Sequence, residues 1–453
     1  MVRNYASSKP NGLRRSRRRK RNGIYTWFIS LLCLGLAIAF SIYYPPQFRA
    51  NSPPSVASTE LRGVWLTNVA SSVLFMPWGV NRAMHQLSQL HFNTVYPVVW
   101  NRGHTFYPST VARRKTGRPQ DQGLELLGLG RDVLAEIIKQ GNRQQIRVIP
   151  WFEYGFMAPA SSELAKRHPD WISLRQDGTK NILPEILEQD LLNPAKPNVQ
   201  PSSRKVEQFI RNQFARKVVW LNPLHPEVQQ FILNLMVEVV TEYDVAGIQM
   251  DDHFGLPVEF GYDPFTVELY RQEHEGKSPP TNPKDAEWMS WRANKITDFM
   301  QRLFQAVKSV KPGCLVSLSP NPYSFAYRFY LQDWQTWVQR GLVEELVLQV
   351  YRDDLKSFLA ELSQPSVQMA RRQIPVGVGI LSGLANRPID MKQIQQQVQA
   401  VRDRGFSGVS FFYWESLWGY MSPEPPKRRR EAFRALFPAS ATRPQVLPKS
   451  GNR

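Results

Sequence analysis

The chain has 453 residues, 42% of them hydrophobic, and a formal net charge of +19, enough apolar material for a large core and enough length for one α/β barrel with insertions. The charge is concentrated at the ends: residues 1–23 carry nine Lys/Arg and no acid, residues 422–453 carry eight against two Glu, and +4 is left for everything between. That distribution argues against a nucleic-acid binder, and the two cysteines, Cys33 and Cys314, argue against a disulfide framework or a thiolate metal cluster.

The basic run Arg14–Arg21 precedes Ile24–Tyr44, 21 residues without a charge. A helix of that length spans about 30 Å, the thickness of a bilayer's hydrocarbon core. Trp27, Tyr43 and Tyr44 lie near its ends, where amphipathic rings settle, and the basic block marks the cytoplasmic side. Pro45 and Pro46 follow in place of a small-residue cleavage site, and the run exceeds the apolar core of a signal peptide. The expectation is a single-pass anchor over 24–44, a cytoplasmic tail over 1–23, and a main domain that is periplasmic or otherwise extracytoplasmic. Residues 45–59 read as a Pro/Ser-rich stalk.

From 60 to 421 short apolar runs alternate with helical patterns, the signature of βα units around a parallel sheet. The expected strands are Leu61–Thr67, Asn93–Val99, Ile146–Trp151, Ala246–Asp251, Cys314–Ser319, Glu344–Tyr351, Pro375–Leu381 and Ser407–Tyr413. Eight strands suit a closed (β/α)8 TIM barrel. Between them Val228, Phe231, Ile232, Leu235, Met236 and Val239 keep one helical face, as do Ile296, Phe299, Met300, Leu303 and Val307. The stretch 152–245 is too long for one βα connection and is expected as an insertion over the barrel mouth. Residues 422–453, Pro-rich and basic, are expected to be disordered.

In such a barrel reactive groups gather at the C-terminal ends of the strands. Those positions hold mostly acids and aromatics: Trp65, Tyr96, Trp100, Asn101, Arg102, Trp151, Glu153, Tyr154, Asp251, Asp252, His253, Asn321, Gln349, Tyr351, Asp353, Trp414 and Glu415. Sugar rings lie on flat aromatic faces, and their hydroxyls pair with carboxylates, amides and guanidinium groups. Cleavage of a glycosidic bond needs two carboxyls. Asp251 and Asp252 are the first candidates, with one expected to face the barrel axis and the other the outer ring, since neighbours on a strand point opposite ways. Glu153 and Glu415 are the candidate partners. Asp354 reads as the cap of a helix starting at Leu355. No zinc-spaced cluster, phosphate loop or G-x-S-x-G elbow is present, so no metal or cofactor is expected.

Several segments, in order, resemble the glycosyl hydrolase-like family 10: Glu60–Leu66, Phe92–Tyr96, Trp151–Gly155, Trp220–Val228, Gly247–Phe254, Ser317–Pro320, Leu348–Tyr351 and Gly405–Val409. The resemblance implies a TIM barrel acting on glycans, in some members peptidoglycan strands stripped of peptide, and it maps the family's strand-four Asp-Asp onto Asp251 and Asp252. The chain departs from it at Glu153-Tyr154, where many members have Asn-Pro, at Arg352 for Trp, and at Asn222 for Asp. The leading expectation is therefore a glycosidase acting by paired carboxylates on a polysaccharide of the bacterial envelope. A non-catalytic, membrane-tethered glycan-binding barrel and a metal-dependent polysaccharide deacetylase are the rival readings.

Overall fold

The computed structural model describes residues 58–127, 131–182, 218–384, 387–418 and 422–445. The expected tail 1–23, anchor 24–44 and stalk residues 45–57 lie outside them. Among the described residues no helix is long and apolar enough to cross a membrane.

All eight expected strands form: β1 (Leu61–Leu66), β2 (Thr94–Asn101), β3 (Trp151–Phe152), β4 (Gly247–Asp251), β5 (Leu315–Ser319), β6 (Glu345–Gln349), β7 (Val376–Leu381) and β8 (Gly408–Phe412). Each pairs in parallel with the next, and β8 pairs with β1, which closes the ring. β3 is short because Pro150, which has no N–H to donate, splits it from a lower piece at Arg147–Val148. The strands are rich in Val, Ile and Leu and buried almost throughout, as expected where helices cover the outer face and side chains fill the lumen.

The outer ring is α1 (Gly79–Gln89), α2 (Val133–Gln144), α3 (Pro226–Glu242), α4 (Ala286–Val310), α5 (Trp334–Gln339), α6 (Leu355–Leu362), α7 (Met391–Asp403) and α8 (Pro426–Leu436). The caps are legible in the sequence. Pro226 occupies the first turn of α3, and Asp285, Asp333, Asp354 and Asp390 each accept a backbone N–H at the start of α4, α5, α6 and α7.

The lumen is partly polar. Trp65 Nε1 donates to Gln249 Oε1 at 2.8 Å, Gln249 Nε2 to Ser317 Oγ at 3.0 Å, and Ser317 Oγ to Glu345 Oε1 at 3.0 Å. Tyr96 donates its hydroxyl to the same Glu345 oxygen, and Arg443 pairs with the other. Each member of this chain has a partner, which is what makes a buried polar network tolerable.

Two expectations are corrected. Residues 422–453 are not a disordered tail as far as they are described, up to 445. α8 is the eighth barrel helix, and Ala441–Thr442 pairs with Ser58–Thr59 beneath the barrel, so the last two residues of the expected stalk are a strand. The run of Arg and Lys in 427–430 hides a short apolar stripe. Phe433 and Phe437 pack on Phe92 and Phe411, and the fully buried Arg429 donates to the carbonyls of Ser382, Ile389 and Leu417. The insertion after β3 begins with Met157–Pro159, which pairs antiparallel with Val218–Trp220; residues 183–217 lie outside the described part.

Since Phe433 is wholly buried, Phe433→Ala is expected to destabilise the barrel by about 3–5 kcal/mol in urea unfolding. A disordered tail would give a change within about 0.5 kcal/mol.

Candidate active site

The strand registers bring the polar residues to one rim. Phe152 lies opposite Met250, so Glu153 and Asp251 each follow a paired residue on adjoining strands. Ser319 lies opposite Asp251 on the other side. Asp251 is the last residue of β4, and Asp252 and His253 form the turn that follows. The chain stops alternating there. The expectation that the two aspartates point opposite ways is therefore corrected: both face His253, whose Nδ1 lies 2.8 Å from Asp252 Oδ1 and 3.3 Å from Asp251 Oδ2.

Each carboxyl has its own amide donor. Gln349 Nε2 reaches Asp251 Oδ1 at 2.8 Å, Asn321 Nδ2 reaches Asp252 Oδ2 at 2.7 Å, and Asn101 Nδ2 reaches Glu153 Oε2 at 2.6 Å, with Thr67 Oγ1 on the same oxygen at 2.9 Å. Tyr154, Trp220 and Tyr330 surround the imidazole, with ring centroids 5.7, 6.0 and 6.3 Å away. The half-buried Tyr351 completes the neighbourhood. Burial pushes its hydroxyl well above the usual range, aided by the charges of Asp251, Asp252 and Glu153.

These groups share too little water to hold all their charges. Burial, reinforced by the neighbouring Asp252, raises Asp251 well above the usual carboxyl range. Burial acts on Asp252 in the same direction, but the charge of His253 and its hydrogen bonds outweigh it and hold Asp252 below that range. His253 is raised well above its usual value: burial opposes its charge, and the attraction of Asp252 and the contacts with both aspartates prevail. Burial lifts Glu153 to about 7, despite the Thr67 and Asn101 hydrogen bonds and the charge of His253. These opposing influences favour the ionised form of Asp252 beside a charged His253 and disfavour the charge on Asp251, while Glu153 lies near its midpoint at neutral pH.

Not every expected residue belongs here. Trp65, Tyr96 and Trp100 are corrected from sugar contacts to packing. Trp65 and Tyr96 stack inside the lumen at 5.4 Å, and Trp100 lies between β2 and α3 against Phe231, its Nε1 donating to Gly155 O. Trp151 lies above Trp65, packed on it and on Phe412. Glu415 follows β8 but is turned to the loop after β1. Its Oε1 accepts from Ser71 Oγ, and burial raises it to about 7. That contact joins it to the loop and not to the Asp pair. Trp414 packs edge-on against Trp418. Arg102 is exposed, with its charge acting on Glu153, and Asp353 is ion-paired to Arg387 at 2.5 Å, away from the carboxyl cluster. Asp354 caps α6 as expected, accepting from Ser357 N at 2.8 Å.

Further residues around the rim hold these groups in place. Thr67 and Asn68 set Glu153 and Asn101. Gln332, in the loop before α5, donates to the carbonyls of Asp251 and Phe254. Trp220, from the insertion, donates to Gly255 O at 2.7 Å, so the turn after β4 is held from two sides. Gly155 passes so close to this turn that a Cβ there would lie 2.5 Å from His253 O. One ligand atom from each of Asp251, Asp252 and His253 lies within 4.8 Å of the others, a spacing a divalent cation would accept.

A family model for glycosyl hydrolase-like 10 matches residues 60–212 and 201–401. Glycosyl hydrolase DigH of Escherichia coli strain K12 is 26% identical over 366 residues, covering 71% of this chain and 74% of that protein. Glycosyl hydrolase YngK of Bacillus subtilis strain 168 is 21% identical over 341 residues, covering 67% of this chain and 56% of that protein. Among solved structures, the glycoside hydrolase domain of PgaB (BpsB) from Bordetella bronchiseptica superposes with a TM-score of 0.53 at 13% identity, over 81% of this chain and 99% of that one. The catalytic domain of β-amylase from Paenibacillus polymyxa does so with 0.53 at 9%, over 84% and 100%. At these identities the two structures share the fold alone.

Glu153 carries a pKa of about 7 in the fold against 4.5 for the free side chain, so burying it favours the protonated form. Its stabilising contribution is complete below about pH 4.5 and is lost as pH rises through 7. Glu153→Gln should therefore gain stability over the wild type between pH 4.5 and 7, by up to about 3 kcal/mol at pH 8. Urea unfolding of both proteins at pH 4 and pH 8 measures it.

Proposed function

The chain belongs to the glycosyl hydrolase-like 10 family, and from that premise we propose that it hydrolyses glycosidic bonds in a polysaccharide of the bacterial envelope, with peptide-free peptidoglycan strands as the leading substrate. The observation that carries this reading is the pairing of a buried carboxyl poised near neutrality, Glu153, with a carboxylate held ionised on the adjoining strand's turn, Asp252. That division of labour is what a glycosidase needs: one group to protonate the departing oxygen, the other to meet the positive charge that develops at the anomeric carbon.

In this reading Glu153 gives its proton to the glycosidic oxygen. Thr67 and Asn101 hold the other end of its carboxyl and fix its direction. Asp252 acts on the opposite side, either on the anomeric carbon itself or on a water it activates. The anomeric form of the first product separates the two. Asp251 stays neutral and orients the pair through His253. Tyr154 and Tyr351 line the approach. Residues 24–44 would tether the domain to the membrane, with the barrel on the extracytoplasmic side, close to such a substrate.

The triad Asp251, Asp252 and His253 also favours one rival, a metal-dependent deacetylase. Exhaustive chelation decides between them: hydrolysis by paired carboxyls persists, whereas metal-dependent release of acetate stops.

Purified glycan strands provide the assay, read as new reducing ends. Asp252→Asn is expected to lower kcat by at least about 10³-fold, the scale for losing a charged catalytic group. The wild-type rate should fall as pH rises through about 7, where Glu153 loses its proton, and Glu153→Gln should abolish this alkaline limb along with most of the rate. Unchanged turnover in Asp252→Asn would refute the assignment.

A further inference from the structure

A second polar hollow begins two residues along the chain from Tyr351. Tyr351 borders the carboxyl cluster, and Asp353, Asp354 and Leu355 line a cavity of about 290 Å³ together with Asp390, Lys392 and Gln396. Its wall is built. Gln393 and Gln397, also in the lining, both donate to Arg352 O, at 3.1 and 3.0 Å. Arg387 ties Asp353 at 2.5 Å to the segment that carries Tyr351, by a second contact to Tyr351 O at 3.4 Å. Asp354 and Asp390 start α6 and α7, so the cavity opens on the same rim as the strand ends.

The lining says what would fit. It contains no aromatic ring and one aliphatic side chain, while carboxylates and carboxamides make up most of the rest. Such groups recognise hydroxyl and amide hydrogens. The volume falls just below the roughly 300–1,000 Å³ of small-molecule sites, room for one ring rather than a chain. Three aspartates face one lysine, and one of the three is neutralised by Arg387. The balance is negative and repels a further carboxylate.

We infer that this hollow is an outlying subsite for a single non-acidic sugar unit of the polysaccharide whose bond is cut at the Glu153–Asp252 pair. The inference rests on the glycosidase reading for its ligand class. In a strand that alternates sugars with and without a carboxylate, such a subsite fixes the register in which the strand crosses the mouth, and so selects the bond that is cut.

The test uses the full chain and two probes, N-acetylchitohexaose, which is neutral, and hexagalacturonate, which is acidic, each measured by titration calorimetry. The wild type should bind the neutral probe more tightly. Gln396→Ala, at an exposed lining position, should weaken that binding about fivefold, the loss of one hydrogen bond. Asp390→Asn keeps a residue able to cap α7 and removes one charge, so the preference for the neutral probe should narrow about tenfold. Thermal melts of the variants confirm that they are folded. A wild type that fails to bind chitohexaose or prefers the acidic probe, or variants with unchanged affinities, overturns the inference. Turnover of glycan strands, measured on the same samples, separates the two readings. The predicted binding pattern without any bond cleavage leaves the subsite standing and removes the glycosidase assignment, while cleavage with unaltered affinities does the reverse.

Discussion

Three carboxyl groups and one imidazole share a rim that water barely reaches, and this enclosed space cannot hold all of their charges. The fold resolves the conflict by giving each group a different neighbour. Asp252 has His253 and Asn321, Asp251 has Gln349 and the repulsion of Asp252, and Glu153 has the uncharged Thr67 and Asn101 as its hydrogen-bond donors. Similar side chains on adjoining strands thus end in different protonation states. A solvated rim of the same composition would leave all three carboxylates ionised at neutral pH, with no acid to protonate a leaving group.

That separation depends on position, and position depends on layers beneath the rim. Trp65, Gln249, Ser317 and Glu345 form a hydrogen-bonded column in the lumen that ends on Arg443. Gln249 is two residues before Asp251 on β4, and Ser317 two before Ser319 on β5. The column therefore fixes the facing of the same two strands that present the site. From outside, Gln332 and Trp220 grip the turn that follows β4. The segment beyond 421 contributes α8 and the buried Arg443, so the site is supported by the whole ring and not by two strands alone.

Much of the fold was legible because a barrel strand leaves a plain signal: a short Val/Ile/Leu run followed by an acid or an aromatic residue. All eight strands lie where those runs predict. The Asp251-Asp252 pair and Glu153 were also legible, since strand ends were enough to find them. Burial direction was not. Trp65, Tyr96 and Trp100 sit near strand ends like the residues of the mouth, yet the pleat turns the first two into the lumen and the third toward α3. Glu415 looked equivalent to Glu153, and only the fold shows that it turns to Ser71. Gln332 left no mark at all, because a carboxamide in a loop between helices has no sequence period. The charge of 427–430 concealed the two phenylalanines that make α8 a core helix. Asn222 is explained by its partner. Its Nδ2 donates to Asp263 Oδ1 at 2.9 Å, and a second carboxylate there would meet the first without a proton between them.

The unequal protonation of the rim can be read directly. Carbon-13 NMR of side-chain carboxyls across pH 3 to 9, with Glu153 identified by its disappearance in Glu153→Gln, gives the midpoint of that one group. A midpoint near 7, with Asp252 already ionised at the acid end of its ordinary range, is the result this account predicts. A Glu153 that titrates near 4.5, like a carboxyl in water, would contradict it.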